Sequence, residues 1–410
     1  MKSTRILYVA QNYQPMSASS ITTHGIVKKL VEKGHEILLL VPERCPRECV
    51  PNCSLRCKDN AKIVVTRIPT VVPYYVINGN KNIRALTLAF CLLFLILKAL
   101  KIGKTKKFDF IISQHHSSHL ASLSAFMLSR ILKLPLIVKV HDVYDLASGV
   151  FDSIYLHLLD NMYRMVLRRA DYVLVVSDSF RSKVIETHKL DKRKVLVFPT
   201  GVDVKKFKPN IVPRSFRRSL GVEGKQVILF IGGVTEARGL ELLVKALPEI
   251  TSKNPNIVVL IVGRGPQKAE VERLAEDLGV RRFVRFIEPI VHGEIPKYIC
   301  LADVTVGPLV ATIETFGSVP RKVLEYMACG KPVVACYGGV SEDLILDKYN
   351  GFLVHDGKVE ELAAVILEML SNSDEVREVG LNARRHVEEF YDWDKVINGF
   401  DKILHMRERL

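Results

Sequence analysis

Apolar positions along this chain follow two spacings that alternate from one end to the other. Short runs rich in Val, Ile and Leu occur at Arg5–Ala10, Glu36–Val41, Lys62–Arg67, Phe108–Ile112, Leu136–Val140, Tyr172–Val176 and Lys194–Val197. They lack the polar alternation of a half-exposed strand, so they predict strands covered on both faces. Stretches with helical spacing separate them, such as Ile21–Lys33, Leu120–Lys133 and Ser153–Arg169. The second half repeats the alternation, with strands expected at Val227–Ile231, Ile257–Val262, Val284–Phe286, Val304–Val306 and Val333–Ala335. Buried strands joined by helices imply parallel sheets. The expected class is therefore α/β, as two Rossmann-like doubly wound parallel-sheet domains in succession.

The turn-rich stretch Phe198-Pro-Thr-Gly-Val-Asp203, with a basic linker to about Arg218, marks the expected boundary. The domains are then 1–198 and 199–390, with the helical segment 391–410 returning to complete the first. Ligands of such sheets bind outside the carboxyl ends of the strands. Two domains facing an interdomain cleft would hold one substrate each.

The chain has 410 residues, 48% of them hydrophobic and 25% charged, as in an ordinary globular protein. Its net charge of +15 favours anionic partners: nucleic acid, anionic lipid or a phosphorylated substrate. No known nucleic-acid module is present, which weighs against the first. The apolar stretch 85–97 is too short for a membrane span of about 17–25 residues. It reads either as a buried helix or as a helix lying on a membrane. The lysines that follow it, Lys98, Lys101, Lys104, Lys106 and Lys107, suit an anionic surface. The opening run stops at Gln11-Asn12, short of the ~7–15 residue core of a signal peptide, so a cytoplasmic location is expected.

Three stretches carry the chemistry. After the strand at Val227–Ile231 comes Gly232-Gly233-Val-Thr-Glu-Ala-Arg238-Gly239 and then a helix with Leu240, Leu243 and Leu247 in register. Glycines at a strand end admit a ligand to the backbone, a helix N-terminus attracts anions, and Arg238 offers a phosphate fork. A second glycine turn, Gly263-Arg264-Gly265-Pro266, follows the next strand. The third stretch is Glu314-Thr-Phe-Gly-Ser-Val-Pro-Arg-Lys322-Val-Leu-Glu325-Tyr-Met-Ala-Cys-Gly330, a glycine-serine loop leading into a short helix. Glu325 lies there among apolar neighbours and needs a partner: a sugar or ribose diol, or a structural salt bridge.

This third stretch resembles glycosyltransferase family 4, the retaining enzymes of GT-B fold. Phe198-Pro-Thr-Gly-Val-Asp-Val-Lys-Lys-Phe-Lys-Pro209 is similar to that family's interdomain signature, and Val176-Ser-Asp-Ser-Phe to the stretch upstream of it. Gly34-His35-Glu36 resembles its turn into the second strand, and Lys139-Val-His141-Asp142 its active-site strand end. The matches span nearly the whole chain in order. The resemblance implies a hexosyltransferase that moves a sugar from a nucleotide-sugar, UDP- or GDP-linked, to a lipid-linked or glycan acceptor. It implies Arg238 and Lys322 on the donor diphosphate, and Gly232, Gly233, Gly263, Gly265, Glu314 and Gly317 around the donor. Backbone N–H groups of Ser318 and Val319 would cap the phosphate, Glu325 would bind the ribose, and His141 would stand beside the transferred sugar. His115, His116 and Asp142 fall on the acceptor side. No cofactor is required for catalysis, which would proceed on the front face with the leaving phosphate assisting. The working place would be the cytoplasmic face of the cell membrane, as a peripheral protein.

The chain departs from the family at three places. Gly317 stands where a second glutamate is usual, Gly233 where a second basic residue binds phosphate, and Ser17-Ala-Ser-Ser20 where a glycine pair follows the first strand. Lys322 could replace part of the lost charge. These changes keep two further readings in view: a non-catalytic sugar-nucleotide-binding subunit and a GT-B sugar-nucleotide epimerase. Outside the family pattern lies Cys45-x3-Cys49-x3-Cys53-x3-Cys57, in a proline-containing insertion. It could close a structural Zn site or an Fe–S cluster, form two disulfides, or stay reduced.

Overall fold

The computed structural model describes residues 3–10, 18–42, 63–68, 97, 107–114, 120–140, 153–311, 320–338, 340–371 and 374–405. Contacts group the chain into two compact units, Met1–Phe198 and Pro199–Leu410. The first contains β1 (Arg5–Val9), β2 (Glu36–Pro42), β3 (Ile63–Ile68), β4 (Phe110–Gln114), β5 (Leu136–Lys139), β6 (Tyr172–Val175) and β7 (Val195–Val197). They form one sheet in the order β3-β2-β1-β4-β5-β6-β7, with every pairing parallel. The second unit contains β8 (Gln226–Ile231), β9 (Ile257–Val262), β10 (Val284–Ile287), β11 (Val304–Val306), β12 (Val333–Cys336) and β13 (Phe352–Val354). Their order is β10-β9-β8-β11-β12-β13, again all parallel. Each sheet reverses its winding once, between β1 and β4 and between β8 and β11. The carboxyl ends at those two places are where a doubly wound sheet opens to ligands.

The sequence accounts for these elements locally. All six side chains of β9 are buried, as its unbroken Ile-Val-Val-Leu-Ile-Val run requires. Helix Leu240–Lys253 buries Leu240, Leu243, Val244, Leu247 and Ile250 on one face. They share a core with Ile228, Phe230 and Ile261 of the sheet and with Leu362, Ile366 and Met369 of helix Val359–Leu370. Each such side chain contributes about 1.5–3 kcal/mol by leaving water. Helix Asp178–His188 starts where the Ser177 hydroxyl accepts the Phe180 N–H at 3.3 Å, and it stops at Lys189 in the left-handed region. The Val-Ser-Asp-Ser-Phe motif thus has a capping role of its own.

One expectation is corrected. β13 makes six strands in the second sheet, where five are legible in the sequence. It is three residues long and gains its identity only by pairing with β12, Val334 against Phe352 and Cys336 against Val354. The C-terminal helix Trp393–His405 lies within the unit Pro199–Leu410. Its start is fixed there: Val202 N–H donates to Tyr391 O at 2.8 Å, Trp393 N–H to Val202 O at 3.2 Å, and the indole covers Gly201 so closely that a Cβ would lie 2.5 Å from the ring.

Of the apolar stretch 85–97, only Leu97 lies among the described residues, exposed and helical. Among the described residues, no helix is long and apolar enough to cross a membrane. Cys45, Cys49, Cys53 and Cys57 lie outside the described residues, and within these no group of three His, Cys, Asp or Glu side chains gathers as a metal site would need.

Candidate functional site

The chemistry-bearing residues of the second unit converge on the carboxyl ends of β8 and β9. Both strands end on a glycine with positive φ, +142° at Gly232 and +149° at Gly263. The two turns lock together through their backbones. Gly232 N–H donates to Val262 O at 2.9 Å and Val234 N–H to Arg264 O at 3.0 Å. A Cβ on Gly263 would lie 1.9 Å from Gly232 O, and one on Gly265 would lie 2.0 Å from Val234 O. The second glycine turn therefore serves first to let one loop pack on the other. Gly233 is different: among the described residues, a Cβ there meets only Thr235 Cγ2, at 3.8 Å.

Lys322 explains Gly232. It sits in the first turn of helix Arg321–Ala328, and its ammonium reaches back under β8 to stand 3.6 Å from the centroid of the Phe230 ring. A Cβ on Gly232 would lie 2.7 Å from that nitrogen. The amine is fully buried and has no hydrogen-bond partner among the described residues. Burial foremost, and then the Arg238 charge, push its pKa well below the ordinary lysine value, against the pull of Glu325. A buried unpaired cation is costly, and the same features make the position receptive to an anion.

Arg238 ends a short 3-10 turn, Glu236–Arg238, whose last carbonyl accepts Leu309 N–H at 3.1 Å. Gly239 follows with φ +66°, because a Cβ there would press on Val310 and Leu309. Helix Leu240–Lys253 starts at Gly239 with no side-chain cap. Its first-turn N–H groups and partial positive charge add to the two cations. The end of β8 is held to the Lys322 helix by Tyr326, whose buried phenol oxygen accepts Ile231 N–H at 2.8 Å.

Glu325 lies on the same helix and is only 4% exposed. Arg321 Nε lies 3.1 Å from its Oε1, and His292 Nε2 lies 2.9 Å from the same oxygen. Lys206 Nζ in turn lies 2.7 Å from His292 Nδ1. Burial lowers the Lys206 pKa, while Glu325 and Asp203 oppose the shift. The sequence reading missed these three partners. Arg321 was accessible as an i,i+4 helical pair with Glu325. His292 and Lys206 had no such signal, since each arrives from a distant loop.

In the first unit, the carboxyl ends of β1, β4 and β5 carry a buried polar group. The Tyr8 hydroxyl lies 3.1 Å from Gln114 Oε1, and Thr23 Oγ1 donates to the same oxygen. On β5 the Lys139 amine is buried without a hydrogen-bond partner among the described residues, 4.6 Å from the centroid of the Phe198 ring, and burial lowers its pKa to about 7. Of the residues expected at the site, Gly232, Gly233, Arg238, Gly263, Gly265, Lys322 and Glu325 belong to the group built above. His115, His116, His141, Asp142, Glu314, Gly317, Ser318 and Val319 lie outside the described residues.

Comparison with known proteins adds to this geometry. Residues 19–206 match the family model described as Glycosyltransferase Family 4, and residues 213–386 the one described as Glycosyl transferases group 1. An uncharacterized glycosyltransferase of Methanocaldococcus jannaschii is 27% identical over 403 residues, covering 96% of this chain and 95% of that protein. A GDP-mannose-dependent alpha-(1-6)-phosphatidylinositol monomannoside mannosyltransferase of Mycolicibacterium smegmatis is 29% identical over 201 residues, 48% of this chain and 52% of that protein. Among solved structures, an Anabaena protein in complex with UDP-glucose superposes with a TM-score of 0.72 at 20% identity, over 98% of this chain and 99% of that one.

Proposed function

We propose, from the premise that this chain belongs to glycosyltransferase family 4, has its GT-B fold and uses a nucleotide-sugar, that its second unit binds the donor diphosphate on Arg238 and Lys322. The observation that carries this reading is the Lys322 ammonium, fully buried against Gly232 at the end of β8 and without a hydrogen-bond partner among the described residues. Arg238 and the open N-terminus of helix Leu240–Lys253 border the same turn. A diphosphate laid there would meet two cations and a row of N–H donors. Glu325 would accept from the ribose hydroxyls, with its Oε1 already engaged by His292 and Arg321.

Transfer proceeds with retention. The bond from the sugar's anomeric carbon to the diphosphate oxygen breaks, and the acceptor oxygen bonds to that carbon on the same face. The acceptor proton passes to the departing phosphate oxygen. The growing negative charge is stabilised by Arg238, Lys322 and the helix N-terminus, so the step does not call on a metal. By the family resemblance, the first unit would take the acceptor, a lipid-linked or glycan hydroxyl, and His141, which lies outside the described residues, would be assigned to the transferred sugar. A net charge of +15 and the lysines behind the apolar stretch 85–97 support work at the cytoplasmic face of an anionic membrane. UDP- and GDP-linked sugars are the donors to try first, since relatives with each are known.

Thermal shift with UDP-, GDP- and ADP-sugars, without added metal, tests the reading on wild type and Arg238→Ala. A shift selective for one base and lost in the variant is the expected result. No shift with any donor refutes the assignment of the diphosphate to this turn.

A further inference from the structure

Glu325 is held by a directed chain of three side chains. A lysine ammonium has only protons to give, so His292 Nδ1 is the acceptor from Lys206 at 2.7 Å. The proton of the neutral ring is then on Nε2, which donates to Glu325 Oε1 at 2.9 Å. The three residues come from three separate places: the loop before Pro209, the turn after β10, and helix Arg321–Ala328. Each is independently anchored. Lys206 N–H donates to Asp203 Oδ1 at 3.0 Å, and the His292 ring packs on Phe207 with centroids 5.3 Å apart. Both contacts of the Glu325 carboxylate, with His292 and with Arg321, fall on Oε1. The last torsion of a glutamate is broad, so an untethered carboxylate would swing. Held at one oxygen by the His292 hydrogen bond and the nearby Arg321 charge, it presents the other oxygen in a fixed direction.

We propose that His292, itself oriented by Lys206, is a positioning residue that fixes the Glu325 carboxylate so that Oε2 meets the ribose hydroxyls of the donor. This inference rests on the assignment of Glu325 to the ribose made above. It concerns how that contact gains its direction, and it identifies a histidine outside the two glycine turns that end β8 and β9 and outside the helix that bears the glutamate.

Calorimetric titration of the full chain with UDP and with its 2′,3′-dideoxy analogue (GDP and its analogue if the wild type prefers guanine) separates the two ideas. The ratio of the two Kd values isolates the ribose contact, because base and diphosphate contributions cancel. Wild type should prefer the ribonucleotide by on the order of tenfold or more, as expected for hydrogen bonds to a charged group. His292→Phe keeps a ring against Phe207 but removes both hydrogen bonds. It should bring the ratio close to one and leave affinity for the dideoxy analogue within about twofold. His292→Gln offers Lys206 an acceptor oxygen and Glu325 an N–H donor, and it should restore the ratio. Lys206→Met, which leaves the ring and the helix in place, should lower the ratio as well.

A ratio unchanged in His292→Phe and Lys206→Met but lost in Glu325→Ala overturns the positioning role and leaves the ribose assignment standing. Equal loss of both ligands in His292→Phe, without recovery in His292→Gln, overturns it in favour of packing alone. A ratio near one in the wild type, or a wild-type ratio in Glu325→Ala, refutes the ribose assignment and the inference with it.

Discussion

Replacing Lys139 by methionine should stabilise the first unit, by an amount that depends steeply on pH. The Lys139 amine is buried at the end of β5, without a hydrogen-bond partner among the described residues, and its pKa falls from the ordinary 10.5 to about 7. Below about pH 7 the amine is charged in both the folded and the unfolded chain, and the folded state bears the whole burial penalty. Between about pH 7 and 10.5 the unfolded chain binds the extra proton, so stability rises with pH across that window and levels off above it. The displacement corresponds to on the order of 5 kcal/mol at full protonation. Contact with the Phe198 ring offsets about 0.5–2 kcal/mol of it. Methionine has similar length and no charge, so Lys139→Met should gain roughly 3 kcal/mol at pH 6 and well under 1 kcal/mol of pH-dependent advantage at pH 10.5. Urea denaturation followed by circular dichroism at pH 6, 8 and 10.5 reads the difference in the transition of the first unit. A variant that is less stable than wild type at pH 6, with the same difference at pH 10.5, would show that the amine is paired and would refute the reasoning.

Three further outcomes follow from the second unit. Gly263→Ala puts a methyl group 1.9 Å from the Gly232 carbonyl at φ +149°, so it should cost several kcal/mol, on the order of 3 or more, in thermal unfolding, and lower the yield of folded protein. Lys322→Met should weaken nucleoside diphosphate binding on the order of 10- to 100-fold, and Gly233→Arg in that background should recover part of it, since only Thr235 Cγ2 lies near the new Cβ. Calorimetry decides, and no recovery would mean that the two positions do not serve one anion. Arg384 donates to the carbonyls of Phe207, Ala328 and Val204, so Arg384→Met should destabilise the unit by about 2–4 kcal/mol and loosen the loop that carries Lys206, seen as faster hydrogen exchange there.

What the sequence discloses here depends on the range of the interaction that fixes each feature. Strands β8 and β9 are legible because every side chain in them past Gln226 is apolar, a property of neighbours in sequence. β13 is not, since Phe352–Val354 is a strand only through its partner β12. The glycines divide in the same way. Their presence at two strand ends marks a place where backbone must come close to something, but composition alone does not say to what. Gly232 makes room for the amine of Lys322, ninety positions later in the chain, and Gly263 for the carbonyl of Gly232 itself. A glycine turn read only as an opening for a ligand therefore misses half of its cause.

Glu325 shows the same limit from the other side. Apolar neighbours along its helix signal that the carboxylate needs a partner, and two answers stand open in the sequence, a salt bridge or a sugar diol. The structure shows that these answers are compatible. Arg321 and His292 take one oxygen of the carboxylate, and the other is not drawn into either contact. Arg321 is one helical turn away, so it could be found by spacing alone. His292 and Lys206 lie 33 and 119 positions from Glu325, and nothing short of the fold brings them to it. A carboxylate held in this manner has its charge compensated before any ligand arrives, which lowers the desolvation cost of burying it and leaves its remaining acceptor capacity for recognition. On the proposed ribose contact, stability and specificity at this position would fall to different oxygens of one side chain.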